Sequence, residues 1–180
     1  VLDKTRITQA IPTLKWLLKR GAKVGIITHL GRPKGIFKKE LSLKTILPLV
    51  EEALGMPVQF MSNPLGDTTL NKFKKAHPGD CFLFENIRFF EGSEACDAPF
   101  AKKLAALGEI FVNEAFSVSH RAHSSVVTLA RMLPRFAGLS FDAEVQALDQ
   151  AFHNPLRPLT AILSGSKIST KLPLIKSLIQ

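Results

Sequence analysis

Residues 5–29, TRITQAIPTLKWLLKRGAKVGIITH, decide the fold. Ile7, Ile11, Leu14, Leu17 and Leu18 recur at the spacing of one helical face, so 5–20 reads as a helix. Gly21 closes it, and Lys19 and Arg20 suit its negative end. KVGIITH at 23–29 is a short apolar run without strict alternation, the pattern of a strand covered on both faces.

The same beat recurs downstream. A helix is expected near 42–54 with Ser42 as its cap, a strand at 57–61 (PVQFM), and a short helix after Asp67. CFLFENI, which begins at Cys81, reads as a third, buried strand. A helix from Asp97 to Leu107 ends at Gly108, and IFVNEAF at 110–116 is a fourth strand. Residues 125–132 suit another helix, GLSFD at 138–142 fits either state, and Phe141 to Phe152 carries apolar positions on one helical face until Asn154 and Pro155 stop it. LTAILSG at 159–165 is a fifth strand and 169–179 a closing helix. Strands alternating with helices imply a mainly parallel α/β sheet with right-handed crossovers. Residues 159–180 open a second domain, or add a last strand to the first sheet.

Composition narrows the class. The chain has 180 residues, 46% hydrophobic and 22% charged, which is globular and not disordered. Two cysteines, Cys81 and Cys96, exclude a disulfide-rich scaffold and a zinc cluster. No apolar run is long enough to span a bilayer and no signal peptide opens the chain, so a reducing cytoplasm and no membrane partner are expected. The net charge of +9 lies entirely in residues 1–50, where 11 Lys and Arg face Asp3 and Glu40. Such a field attracts nucleic acid or a small multiply charged anion such as a phosphate ester. The basic loops lack interleaved aromatic stripes, which argues against nucleic acid.

Basic residues fall where a parallel sheet gathers ligands, outside the carboxyl ends of its strands. His29 and Arg32 end one strand, Arg88 in ENIRF ends another, and His120 and Arg121 in HRAH follow a third, with Arg6 at a helix start. Several guanidinium forks on one site suit a phosphate plus a carboxylate. Taken singly, Arg6 or Arg88 equally suits a carboxylate partner, and His29 a buried core histidine. No carboxylate is spaced for a His/Asp nucleophile system, and the five histidines offer no three-ligand metal spacing. SGSKISTK at 164–171 places Lys167 and Lys171 four apart after a small-residue turn, a weak phosphate-cradling pattern that is not the GxxxxGK[ST] loop.

At these residues the sequence resembles phosphoglycerate kinase. The landmarks are TRI at 5–7, GAKVGIITHLGRPKG at 21–35, LSLKTILPLV at 41–50, ENIRFFEG at 85–92, FVNEAFSVSHRAHSS at 111–125, NPLRP at 154–158 and AILSGSKISTKL at 161–172. The resemblance implies a Rossmann-like α/β fold with helices on both faces, one half of a two-domain hinge-closing kinase. Residues 1–140 would be the 3-phosphoglycerate-binding domain, 141–158 the interdomain helix and hinge, and 159–180 the start of the nucleotide domain. It implies that Arg6 stabilises the phosphoryl group in transfer, and that Arg6, His29, Leu30, Gly31, Arg32, Arg88, His120 and Arg121 bind the substrate. Lys167 and Lys171 would lie at the nucleotide phosphates, Lys167 with a catalytic part. ATP or ADP would carry Mg2+, held mainly by the nucleotide and by residues outside this chain.

The resemblance further implies a monomeric enzyme of glycolysis when intact. The family's opening strand and DFN segment are not in this sequence, nor is most of its nucleotide domain, so the 180 residues alone are expected to be inactive. Ser164, Ser166 and Thr170 depart from the family's GGAKVxDK pattern, and Glu114 stands where VNDAF has aspartate.

Overall fold

The computed structural model describes residues 3–153, 155–160, 162 and 172. The chain divides into two compact units, Val1–Phe141 and Asp142–Gln180.

In the first unit, helix α1 (Thr5–Lys19) leads into strand β1 (Val24–Ile26), α2 (Leu47–Leu54) into β2 (Gln59–Met61), and α3 (Asp67–Lys74) into β3 (Cys81–Phe84). These strands form a parallel sheet ordered β1-β3-β2, with Gly25 opposite Phe82 and Phe60 opposite Leu83. Helix α4 (Ala98–Ala105) precedes β4 (Phe111–Asn113), and the one-turn α5 (Leu129–Met132) precedes β5 (Arg135–Ala137). β4 and β5 pair in parallel as a second sheet. Helix α6, Leu139–His153, begins in the first unit. In the second unit it carries i,i+4 links from Gln146 to Asp142 (2.6 Å) and between His153 and Asp149 (2.8 Å).

Strand β3 shows why the sheet is buried on both faces. Its side chains alternate by the two-residue period of a strand. Cys81 and Leu83 join a core with Val24, Leu43, Ile46, Val50, Leu54 and Val58, against which Ile7, Ile11, Leu14, Leu17 and Leu18 of α1 pack. Phe82 and Phe84 join Phe73, Phe100, Leu104 and Leu129 in the other core. The α/β expectation and the apolar face of α1 therefore stand.

Several boundaries differ for physical reasons. The helix expected from 42 starts at Leu47, because Pro48 has no N–H to donate and fits only a first turn. Ser42 instead caps a short 3-10 turn, Leu43–Thr45, accepting from the Lys44 amide. Asp97 caps α4, its carboxylate accepting the Phe100 amide at 2.6 Å. The helix expected over 125–132 is a π-helical turn, Ser124–Thr128, followed by α5, because Ser124 turns its hydroxyl onto the loop 92–97. The ambiguous 138–142 becomes the start of α6, and β5 was not foreseen. The strands form two parallel sets where one sheet was expected. The strand expected at 159–165 and the helix at 169–179 lie outside the described residues, isolated positions apart.

Candidate functional site

The loop after β1 is built by the residues after β3. The Ile87 amide donates to the Thr28 carbonyl at 3.2 Å, and the Gly35 amide to the Arg88 carbonyl at 3.0 Å. Between them, fully buried Asn86 donates from Nδ2 to the carbonyls of Leu30 (2.8 Å) and Leu41 (2.9 Å), while its Oδ1 accepts the Arg88 amide at 3.1 Å. Glu85, also buried, accepts from the Ser42 hydroxyl (2.6 Å) and from the amides of Leu43 (2.8 Å) and Asn86 (2.6 Å). Gly31 has φ of +65°, and a Cβ there would lie 2.8 Å from the Leu41 side chain. Only glycine fits that turn without displacing its neighbour.

This scaffold presents a cationic group. Arg88 is buried, with Nη1 donating to the Gly31 carbonyl at 2.8 Å and Nε 3.1 Å from the Glu94 carboxylate. Arg121 has its Nε buried with no hydrogen-bond partner among the described residues, an unspent donor of a kind that native structures rarely leave. Burial pushes the His29 imidazole down to about 4, helped by the charges of Arg88, Arg6, His123 and Arg121. At neutral pH His29 is therefore uncharged. The Arg88 guanidinium is lowered by burial, raised by Glu94 and lowered by Arg121 and Arg32. His123 is lowered by burial and Arg88, raised by Glu94, then lowered by Arg121 and His120.

These couplings gather Arg6, His29, Arg32, Arg88, His120 and Arg121 into one electrostatic group drawn from four segments. Arg6 reaches it from the exposed first turn of α1. Leu30 and Gly31 contribute their backbone, each carbonyl being an anchor for Asn86 or Arg88. Lys167 and Lys171 lie outside the described residues, as do Ser164, Ser166 and Thr170. Asn86, Glu94 and Ser124 were not foreseen. Asn86 sits beside Arg88 in ENIRF, a polar residue at the end of an apolar run, and that is the signal it left. No group of three metal-ligating side chains occurs among the described residues, and no helix among them is long and apolar enough to cross a membrane.

A sequence model of the family Phosphoglycerate kinase matches residues 1–180. The chain belongs to the phosphoglycerate kinase family. It is 46% identical over 180 residues to the phosphoglycerate kinase of Mesorhizobium japonicum, covering all of this chain and 45% of that protein. Against that of Ruegeria sp. (strain TM1040) it is 45% identical over 179 residues, covering 99% and 45%. The chain thus spans about half the length of the curated relatives it matches. Among solved structures, it resembles phosphoglycerate kinase from Coxiella burnetii with TM-score 0.84 and 36% identity, over 98% of this chain and 44% of that one. The enzyme from Pyrococcus horikoshii OT3 matches with TM-score 0.87 and 26% identity, over 99% and 45%.

Glu114, the departure from the family's aspartate noted above, has a defined place. Its carboxylate accepts from the Thr13 hydroxyl and from the amides of Ser140 (3.3 Å) and Phe141 (3.1 Å), while Thr13 Oγ1 accepts the Leu139 amide at 2.8 Å. It therefore caps the N-terminus of α6, where unpaired amides favour a negative charge. A Cβ at Gly138 would collide with this carboxylate, so the cap requires glycine there.

Proposed function

We propose that the protein to which this chain belongs is a phosphoglycerate kinase. It would transfer a phosphoryl group reversibly between ATP and the carboxylate of 3-phosphoglycerate, giving ADP and 1,3-bisphosphoglycerate. The observation that carries this reading is the convergence of Arg6, Arg32, Arg88 and Arg121 around a neutral His29, in a chain of this family. Arg88 and Arg121, with Arg32, His29 and His120, bind the phosphate and glycerate oxygens. Guanidinium forks suit this task because each meets two oxygens at once. His29 hydrogen-bonds without adding charge. Arg6 stands on a separate helix and stabilises the transferring phosphoryl group, as does Lys167, with Lys171 at the nucleotide.

The acceptor carboxylate is already ionised, so no covalent intermediate and no strong general base are needed. Catalysis is charge stabilisation and exclusion of water on closure. Magnesium would be held mainly by the nucleotide and by residues outside this chain, and would supply charge screening at the phosphates. Residues 1–140 belong to the substrate half, 141–158 to the connecting helix and hinge, and 159–180 to the opening of the nucleotide half. The enzyme works in the cytoplasm, in glycolysis, as a monomer, and the 180 residues alone do not turn over.

The test is ATP-dependent turnover of 3-phosphoglycerate by the full encoded polypeptide with magnesium at matched ionic strength. Turnover is expected, with KM for 3-phosphoglycerate raised by Arg121→Ala and little change in stability, since Arg121 lies in a loop. A full polypeptide that folds and does not turn over refutes the reading.

A further inference from the structure

We propose that Glu94 is a positioning residue for the anion site: its carboxylate holds the buried Arg88 guanidinium in the plane from which it meets the substrate's phosphate. The proposal rests on the function proposed above and adds a residue that sequence patterns do not single out.

The Arg88 side chain is only 5% exposed, and its two anchors engage different edges of the fork. Nη1 is held by the Gly31 carbonyl at 2.8 Å and Nε by Glu94 Oε1 at 3.1 Å. A guanidinium carries five N–H donors in a rigid plane, so two such anchors fix its rotation and leave the Nη2 donors for an anion. Glu94 is also the carboxylate whose charge is felt at both Arg88 and His123, where it opposes repulsion from Arg121.

The loop that carries Glu94 is tied on both sides to one residue. Fully buried Ser124 donates its hydroxyl to the Gly92 carbonyl at 2.7 Å, lies against the Ala95 carbonyl, and accepts the Asp97 amide at 2.9 Å. Its own amide donates to the Ser93 carbonyl at 3.2 Å. Gly92 turns the chain with φ of +85°, in space bounded by Asp97 and Phe100. Ser124 follows Arg121 by three residues, so one hydroxyl sets Glu94 relative to the segment bearing Arg121, and Glu94 in turn sets Arg88. The two arginines are thereby held in one frame.

The test uses the full encoded polypeptide and steady-state kinetics with 3-phosphoglycerate and ATP varied separately. Glu94→Ala is expected to raise KM for 3-phosphoglycerate about tenfold, the scale of losing one charge-assisted hydrogen bond, while KM for ATP holds. Glu94→Gln keeps the Oε1 acceptor without the charge and is expected to recover most of that loss. If both variants instead lower KM, Glu94 competes with the substrate for Arg88, and the positioning role is overturned. If Glu94→Ala changes only the melting temperature, the residue is merely structural and the proposal fails. Arg121→Ala in the same assay separates the levels. A raised KM there with none at Glu94 sinks this proposal alone, and no change in either sinks the site reading as well.

Discussion

Replacing Asn86 with alanine tests whether one buried amide carries the loop that presents His29 and Arg32. Three hydrogen bonds disappear together: Nδ2 to the Leu30 carbonyl at 2.8 Å, Nδ2 to the Leu41 carbonyl at 2.9 Å, and the Arg88 amide to Oδ1 at 3.1 Å. Each is worth about 1 kcal/mol net, and a buried group left unpaired costs about 1–3 kcal/mol more. Asn86 is fully buried and Arg88 is 4% exposed, so the Arg88 amide bears that added cost. Leu30 and Leu41 are only partly buried, and their carbonyls can take water instead. The sum is about 4–6 kcal/mol, a large share of a stability of about 5–15 kcal/mol. Urea unfolding followed by circular dichroism measures it directly, and the melting temperature should fall by roughly 10–20 °C. Asn86→Asp should be no milder, since it keeps the acceptor for Arg88 but turns an oxygen onto two carbonyls. A loss under about 1 kcal/mol for Asn86→Ala would refute the claim that this side chain clamps the loop.

Stability should fall as pH drops from 6.5 towards 4. His29 resists protonation in the fold and accepts it when unfolded, so the unfolded state binds more protons in that window. His29→Asn should flatten this part of the curve, and an unchanged slope would remove His29 as its source. Gly31→Ala forces a side chain into a left-handed turn 2.8 Å from Leu41 and should cost about 1–3 kcal/mol in urea unfolding. A neutral result there would mean that the loop adopts another turn. Thr13→Val removes the hydroxyl between Glu114 and the Leu139 amide and should cost about 2 kcal/mol. KM for 3-phosphoglycerate should hold, because Thr13 lies outside the cation group, and a raised KM would show that the α6 cap reaches the site.

What was legible in the sequence follows periodicity and topology. The apolar face of α1 repeats every three or four residues, and those five side chains pack where the period puts them. The run Cys81–Phe84 lacks polar residues because both of its faces are covered, and a period of two then divides it between two cores. The meeting of His29, Arg88 and Arg121 was also foreseeable, since each follows the carboxyl end of a parallel strand. β5 left no such trace, because all three of its residues are exposed and no buried face constrains their type.

The groups that hold the arginines were illegible for a different reason. Asn86 bridges Leu30 and Leu41, 56 and 45 residues away, and Ser124 ties down carbonyls 32 and 29 residues away. Such bonds obey no period. They depend on which loop passes within about 3 Å of a buried polar atom, and any of several residue types elsewhere in the chain satisfies the same need. Like charges converge because topology places them beyond the carboxyl ends of parallel strands, in two sheets. Their orientation is settled afterwards by whichever neighbouring backbone and carboxylate can neutralise and hydrogen-bond them, as Gly31 and Glu94 do for Arg88.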